Sequence, residues 1–352
     1  MDPSLQRETN ALRRSWDRHE GEFLRDYLVA GVEDPRINVQ SILSRHFLLQ
    51  GVVGERYRMV RQAELEFATA LNWLLGLQEE LAEAEGRAAI RFGLERDVEN
   101  VEGIVIPSFV RRLWQRLDAG SRPASERDES VIAPALDDHP NYLRAVLDEP
   151  TGRLLESRVA DTFVRIWDGL LGQESLPTPL LAVLEVACGS ANDYRALAAG
   201  GLSRLVDYTG FDLCAKNIAN ARQRFPQARF LEGNALAIAA PDRSFDRFLA
   251  HDLFEHLSLD ALAVAVAECC RVTRDEACLG FFSVAEVPEH IVRPTDEYHW
   301  NTLSASRLLG LFAAQGFAAN VIHIGTFLRS QFGDASTHNP NAYTFVLRRG
   351  EA

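Results

Sequence analysis

The sequence predicts an α/β protein: a mainly parallel sheet with helices on both faces, preceded by an all-helical N-terminal region. Three observations predict it. From about residue 180 onward, short apolar runs alternate with helical stretches at the spacing of βαβ units. Residues 1–120 instead repeat their apolar side chains at helical spacing. Between the two lies GSRPASERDES, residues 120–130, whose Gly, Ser and Pro content reads as a linker. The reading divides the chain into a helical region over 1–120, a linker over 121–138 and an α/β domain over 139–352. Two units fit 352 residues at roughly 100–200 residues per domain.

In chain order, Arg36 to Gln50 brings Ile37, Ile42, Leu43, Phe47 and Leu48 near one helical face. Val52 to Ala84 is rich in strong helix formers, with Leu65, Phe67, Leu71, Leu74, Leu75 and Leu81 as an apolar stripe. Pro107 is placed to open a further helix and Gly120 to close it. Asn141 to Leu171 also reads as helical, and Pro177 and Pro179 then break the chain. Strands are expected at 181–187, 205–211, 228–232, 245–250, 278–285, 320–326 and 343–348. Helices are expected near 192–199, 214–224, 259–271 and 304–315. Strands that alternate with helices in this way pair in parallel beneath two helical layers.

Composition limits the partners. The net charge is −13 and Lys216 is the single lysine, so the surface repels a phosphate backbone and nucleic acid is not expected. No apolar run approaches the roughly 20 residues that cross a bilayer, and the polar N-terminus lacks the core of a signal peptide. The expectation is a cytoplasmic protein with no membrane partner. Cys188, Cys214, Cys269, Cys270 and Cys278 form no CxxC pair or zinc spacing, and read as buried free thiols.

The chemistry concentrates where strand 181–187 runs into Cys188-Gly189-Ser190-Ala191-Asn192-Asp193. A strand, a tight small-residue turn and a helix start suit a nucleoside ligand: small side chains admit it to the backbone, and open helix N–H groups face it. Asp212, at the end of the second strand, can accept hydrogen bonds from two ribose hydroxyls. A dinucleotide fingerprint would want three glycines, of which only Gly189 is present.

Together these features resemble the class I S-adenosylmethionine (SAM)-dependent methyltransferase family. That family's first strand carries L-[DE]-x-G-C-G-x-G, and this chain reads Leu184-Glu185-Val186-Ala187-Cys188-Gly189-Ser190-Ala191. Ala187 and Ala191 stand where the family has glycine. Gly233-Asn234-Ala235 resembles the G-D-A segment that contacts adenine, with Asn234 for Asp. Phe245 to Leu257 resembles the fourth strand and the loop beside the methionine portion. Gly316-Phe317 resembles the G-F that ends the last crossover helix. The resemblance spans about residues 140–350. It implies a Rossmann-like seven-stranded sheet with the last strand antiparallel, and SAM as cofactor. It also implies a ligand across the C-terminal strand ends, with Glu185 near the methionine ammonium and Asp212 on the ribose. Ala187, Gly189, Ser190, Asn192, Asn234, Ala235 and His251 would complete the cofactor site.

Methyl transfer needs the nucleophile held in line and, for some acceptors, a base. His251-Asp252 and the stretch Asp296 to Asn301 supply polar groups near the expected methyl position. His299 has the intrinsic pKa of a base. Tyr194 is a further candidate if it points to the methionine end; Trp300 either stacks on an aromatic acceptor or packs in the core. Glu255 and His256 read as pocket-edge residues, and no metal is expected. The N-terminal helices read either as a lid, with Arg45, His46 and Tyr57 as lid residues, or as a homodimerisation arm. The leading reading is a methyltransferase acting on oxygen or nitrogen of a small-molecule metabolite. The same fold also hosts enzymes that close SAM's aminobutyl arm to azetidine-2-carboxylate with release of methylthioadenosine, and a non-catalytic SAM binder is the third reading.

Overall fold

A computed structural model describes residues 2–18, 38–54, 57–63, 66–67, 179–295, 298–327 and 339–350. The helices expected around Pro107 and over 141–171, the linker, and Asp296 and Glu297 lie outside the described residues.

Among the described residues, the N-terminal region contributes α1 (Pro3–Arg18) and α2 (Val39–Val53). The sheet domain then runs β1 (Leu181–Val186), α3 (Asn192–Ala199), β2 (Val206–Asp212), α4 (Ala215–Arg224), β3 (Arg229–Glu232), β4 (Phe245–His251), α5 (Leu259–Val272) and β5 (Thr273–Phe281). It closes with the short pair β6 (Val284–Ala285) and β7 (Leu303–Ser304), then α6 (Ala305–Ala314), β8 (Phe317–His323) and β9 (Tyr343–Arg349). The seven-stranded sheet has the order β3-β2-β1-β4-β5-β9-β8. All its pairs are parallel except those of β9, which runs antiparallel to both β5 and β8.

Two expected strands are displaced. The fifth begins at Thr273 rather than 278 and stops at Phe281. It stops there because the Glu255 carboxylate, through Oε1, accepts from the Phe282 and Ser283 N–H groups (2.8 and 3.3 Å), taking the donors a ladder would use. The sixth begins at Phe317 rather than 320, because Gly316 at φ +79° turns the chain straight out of α6 into the sheet.

Side chains alternate between two buried faces, as a doubly covered sheet requires. Val183, Leu249 and Cys278 enter one core with α2, α3 and α4. Leu184, Val186, Phe248, Ala250, Ala277 and Leu279 enter the other, with α5, α6 and Leu5 of α1. Burial of α2 runs all the way round, including Gln40, Ser41, Arg45 and His46, beyond the single face expected. It starts at an Asn38 cap that accepts from the Ser41 N–H. It passes so close to the sheet that a Cβ on Gly51 would lie 2.8 Å from Leu181 Cδ2. Its first turn reaches the end of β5 and the start of β9, where Gln40 Nε2 donates to the Phe281 and Tyr343 carbonyls (3.0 and 2.7 Å). All five cysteines are free and buried. Among the described residues no helix is long and apolar enough to cross a membrane.

Candidate active site

β1 delivers the chain into a turn in which Ala187, Gly189 and Ala191 all have positive φ, +58°, +54° and +66°. A left-handed conformation costs an L-residue roughly 1–2 kcal/mol, so the two alanines hold a shape that glycine would hold without strain. A Cβ built on Gly189 meets nothing within 4 Å, so the loop is open at that point. Its backbone is tied to the end of β2: Gly189 N–H donates to Asp212 Oδ2 (3.0 Å) and Cys188 N–H to the Phe211 carbonyl (3.2 Å). Asp212 Oδ1 accepts from Cys214 N–H (2.8 Å) and Asn217 Nδ2 (3.3 Å). Burial raises the Asp212 pKa, against the pull of those three donors.

Beside the loop lies a buried charge cluster. Tyr208 donates its hydroxyl proton to Glu185 Oε2 (2.5 Å). Burial and then the charge of Asp193 push Glu185 up to about 8, so it holds a proton at neutral pH. Asp193 Oδ2 lies 3.3 Å from His251 Nδ1. Burial opposes both charges, yet each stabilises the other: His251 is carried up to about 9 and Asp193 is held at about 2. The pair is therefore carboxylate and imidazolium. His251 Nε2 is buried without a partner, and its ring lies over Gly280, where a Cβ would come within 2.5 Å of Cδ2. Ser41 and Arg45 of α2 also act on Asp193. Asp193 is the residue the sequence reading missed. In the first turn of a helix an aspartate reads as favouring the helix dipole, and only the fold sets it against His251.

The other expected residues divide. Ser190 is buried and turns toward α4, within 3.3 Å of Asn217 Oδ1, and Asn192 Oδ1 accepts from Arg224 Nη1 (3.2 Å). Tyr194 is not brought to the cleft: its ring is buried against Tyr208, Phe225 and Phe230, with centroids 4.7, 5.1 and 5.6 Å away. The helical period turns that position inward, and the aromatic contacts hold it there. Asn234 follows β3, with Oδ1 accepting from Leu236 N–H (2.9 Å) and Nδ2 donating to Thr9 Oγ1 of α1 (3.1 Å); Ala235 is half-buried beside it. Asp252 ends β4 at φ +51°, its N–H donating to the Gly280 carbonyl (3.0 Å). His299 is half-buried with Nδ1 unpartnered, and its carbonyl accepts from His256 Nδ1 (3.1 Å). His256 sits among Phe282, Tyr298 and Trp300, and Trp300 is 46% exposed.

Behind α2 lies a second polar group. Glu66 accepts from Arg45 Nη2 (2.6 Å) through Oε1 and lies 2.6 Å from His46 Nε2 through Oε2, while His46 Nδ1 lies 2.6 Å from the Tyr57 hydroxyl. Burial works against the Glu66 charge, but Arg45 and His46 hold it at about 2.

With this geometry in view, comparison with known proteins is informative. The family described as "Methyltransferase domain" matches residues 183–276, from β1 into β5. Over that stretch, about a quarter of the chain, the sequence is similar to the class I SAM-dependent methyltransferase superfamily. SAM is the cofactor of that superfamily, and the open Gly189 turn with a strand-end carboxylate on either side fits such a ligand. A Mycolicibacterium smegmatis protein named as a SAM-dependent methyltransferase is 31% identical over 141 residues, 38% of this chain and 51% of that one. A Mycobacterium tuberculosis protein of the same description is 29% identical over 141 residues, 38% of this chain and 48% of that one. The chain thus spans about half the length of the curated relatives it matches. A solved SAM-dependent methyltransferase from Methanosarcina mazei is 16% identical, covering 48% of this chain and 92% of that one at a TM-score of 0.38.

Proposed function

We propose that this chain is a SAM-dependent methyltransferase acting on an oxygen or nitrogen of a small molecule. The observation that carries the reading is the Gly189 turn, held to Asp212 and flanked by Glu185, at the C-terminal edge of a sheet in which residues 183–276 match the methyltransferase domain. When bound, SAM would supply a sulfonium methyl for transfer to an in-line nucleophile, with S-adenosylhomocysteine as the thioether leaving group. In this reading Asp212 holds the ribose hydroxyls, Glu185 and Asp193 face the methionine ammonium, and Asn234 and Ala235 meet the edge of the base.

The protein's own work is to bind, orient and exclude water. His251 carries its proton in the resting state and so acts as a donor and a fixed positive charge rather than as a base. His299, whose Nδ1 has no partner, is the group available to take a proton from the acceptor. Trp300 gives the acceptor a flat wall. The N-terminal helices close the cleft: α2 covers the strand ends through Gln40, and α1 reaches across through Glu8 and Thr9.

The test is to incubate the full chain with SAM alone and then with a panel of hydroxyl and amine acceptors, identifying the nucleoside formed. S-adenosylhomocysteine that appears only with an acceptor supports the reading. Methylthioadenosine from SAM alone would establish the azetidine-forming cyclase instead. Binding with no turnover under any condition would leave a non-catalytic SAM binder.

A further inference from the structure

We infer that a nucleoside bearing an ammonium group enters this site in exchange for a proton, and that the proton leaves from Glu185. The inference rests on the reading proposed above, in which Glu185 faces the methionine ammonium.

The exchange follows from how Glu185 is held. It lies on β1 opposite Gly210 of β2 and is 4% exposed. Gly210 leaves the space through which Tyr208 reaches it: a Cβ there would lie 2.9 Å from the Tyr208 hydroxyl. That hydroxyl, on Oε2 at 2.5 Å, is the single donor to the Glu185 carboxyl among the described residues. Two other buried acids show what is lacking. Glu66 keeps its charge because Arg45 and His46 pair with it, and Asp193 keeps its charge through His251. Glu185 makes no ion pair among the described residues.

The titratable groups that act on Glu185 come from every element around it: Tyr208 and Asp212 from β2, Asp193 from α3, His251 from β4 and Cys188 from the turn. From α2, Arg45 acts on Asp193. Asp193 and Asp212 oppose a charge on Glu185; His251 favours one, but its own charge is already matched by Asp193. A carboxyl taken out of water beside other carboxylates keeps its proton until a cation reaches it. The ligand ammonium is that cation. As it arrives, the Glu185 O–H bond breaks with its electron pair left on the carboxylate. The proton passes to solvent, and the ammonium keeps all three of its own.

The size of the exchange follows by linkage. The free carboxyl sits at about 8, and pairing returns it to the ordinary carboxylate range, so binding at pH 7 should release about 0.9 proton and at pH 8 about half of one. Affinity should tighten by about tenfold per pH unit below pH 7 and level off above pH 8.

The experiment is calorimetry on the full chain in phosphate and in Tris, whose heats of protonation differ, so that the difference in binding enthalpy counts the protons released. S-adenosylhomocysteine should release most of a proton at pH 7. Methylthioadenosine, a thioether nucleoside without the ammonium, should bind and release none. Glu185→Gln should abolish the release and flatten the pH dependence of S-adenosylhomocysteine affinity. Tyr208→Phe keeps the carboxyl and removes its donor, so it should raise the release at pH 8 from half toward a full proton; it reads the same group even where the Gln variant fails to fold. No release with S-adenosylhomocysteine, equal release with both nucleosides, or undiminished release in Glu185→Gln would overturn the inference. Wild-type protein that binds neither nucleoside would instead remove the nucleoside reading beneath it.

Discussion

Replacing Asp193 by asparagine isolates the contact that decides what His251 can do. Asp193 Oδ2 lies 3.3 Å from His251 Nδ1, in a site where the side chains are only 26% and 14% exposed. The carboxylate carries the imidazole from its ordinary 6.5 to about 9, which at about 1.4 kcal/mol per pH unit is roughly 3 kcal/mol in favour of the imidazolium. Residual solvent and the contribution of Glu185 reduce the share lost with Asp193 to about 2 kcal/mol. The signs follow from linkage. His251 has a raised pKa in the folded protein, so its contribution is complete below pH 6.5 and fades as the pH rises through about 9. Asp193 has a lowered pKa, so its contribution is present above 3.8 and fades as the pH falls through about 2. Asp193→Asn should therefore cost about 2 kcal/mol at pH 7 and much less at pH 9.5. The assay pairs denaturant melts at both pH values with proton NMR of the histidine rings, His251 being assigned with His251→Gln. Wild-type His251 should titrate near 9 and well below that in Asp193→Asn, where only Glu185 and Asp252 are left to oppose burial. A wild-type His251 that titrates between 6 and 7, or a loss of stability independent of pH, would refute the ion pair and return His251 to the role of base.

Three further outcomes are expected. Asp212→Ala should weaken S-adenosylhomocysteine by about 1.5–3 kcal/mol, the usual cost of charge-assisted hydrogen bonds; unchanged calorimetric affinity would remove Asp212 from the site. Ala187→Gly, at φ +58° and half-buried, should raise stability by about 0.5–1 kcal/mol, the left-handed strain less the chain entropy of glycine. A drop in melting temperature would contradict the strain. Glu66→Gln removes the carboxylate charge buried between Arg45 and His46 and should cost about 3–5 kcal/mol in a denaturant titration at pH 7; a loss under 1 kcal/mol would contradict the buried pairing.

The sheet domain was largely legible in the sequence because its strands are covered on both faces and bounded by turn residues. Runs such as Leu181–Val186 and Phe245–His251 declare themselves by continuous apolarity between helical segments. The glycine turn was legible too, and its two alanines, Ala187 and Ala191, stand in it at positive φ. What stayed hidden are contacts between parts distant in the chain. Tyr194 could not be placed until Phe225 and Phe230 were seen to close over it. The proton on His251 depends on Asp193, 58 residues away in sequence. The placing of α2 across the sheet, and of Thr9 against Asn234, depends on helices whose own periodicity says only that they are amphipathic or buried.

The most direct measurement is a crystal structure grown with S-adenosylhomocysteine. Density for the nucleoside should run along the C-terminal strand edge, its sulfur over the Gly189 turn, its hydroxyls on Asp212 and its base beside Asn234. Density at any other place, with the 187–191 loop making no ligand contact, would contradict the account.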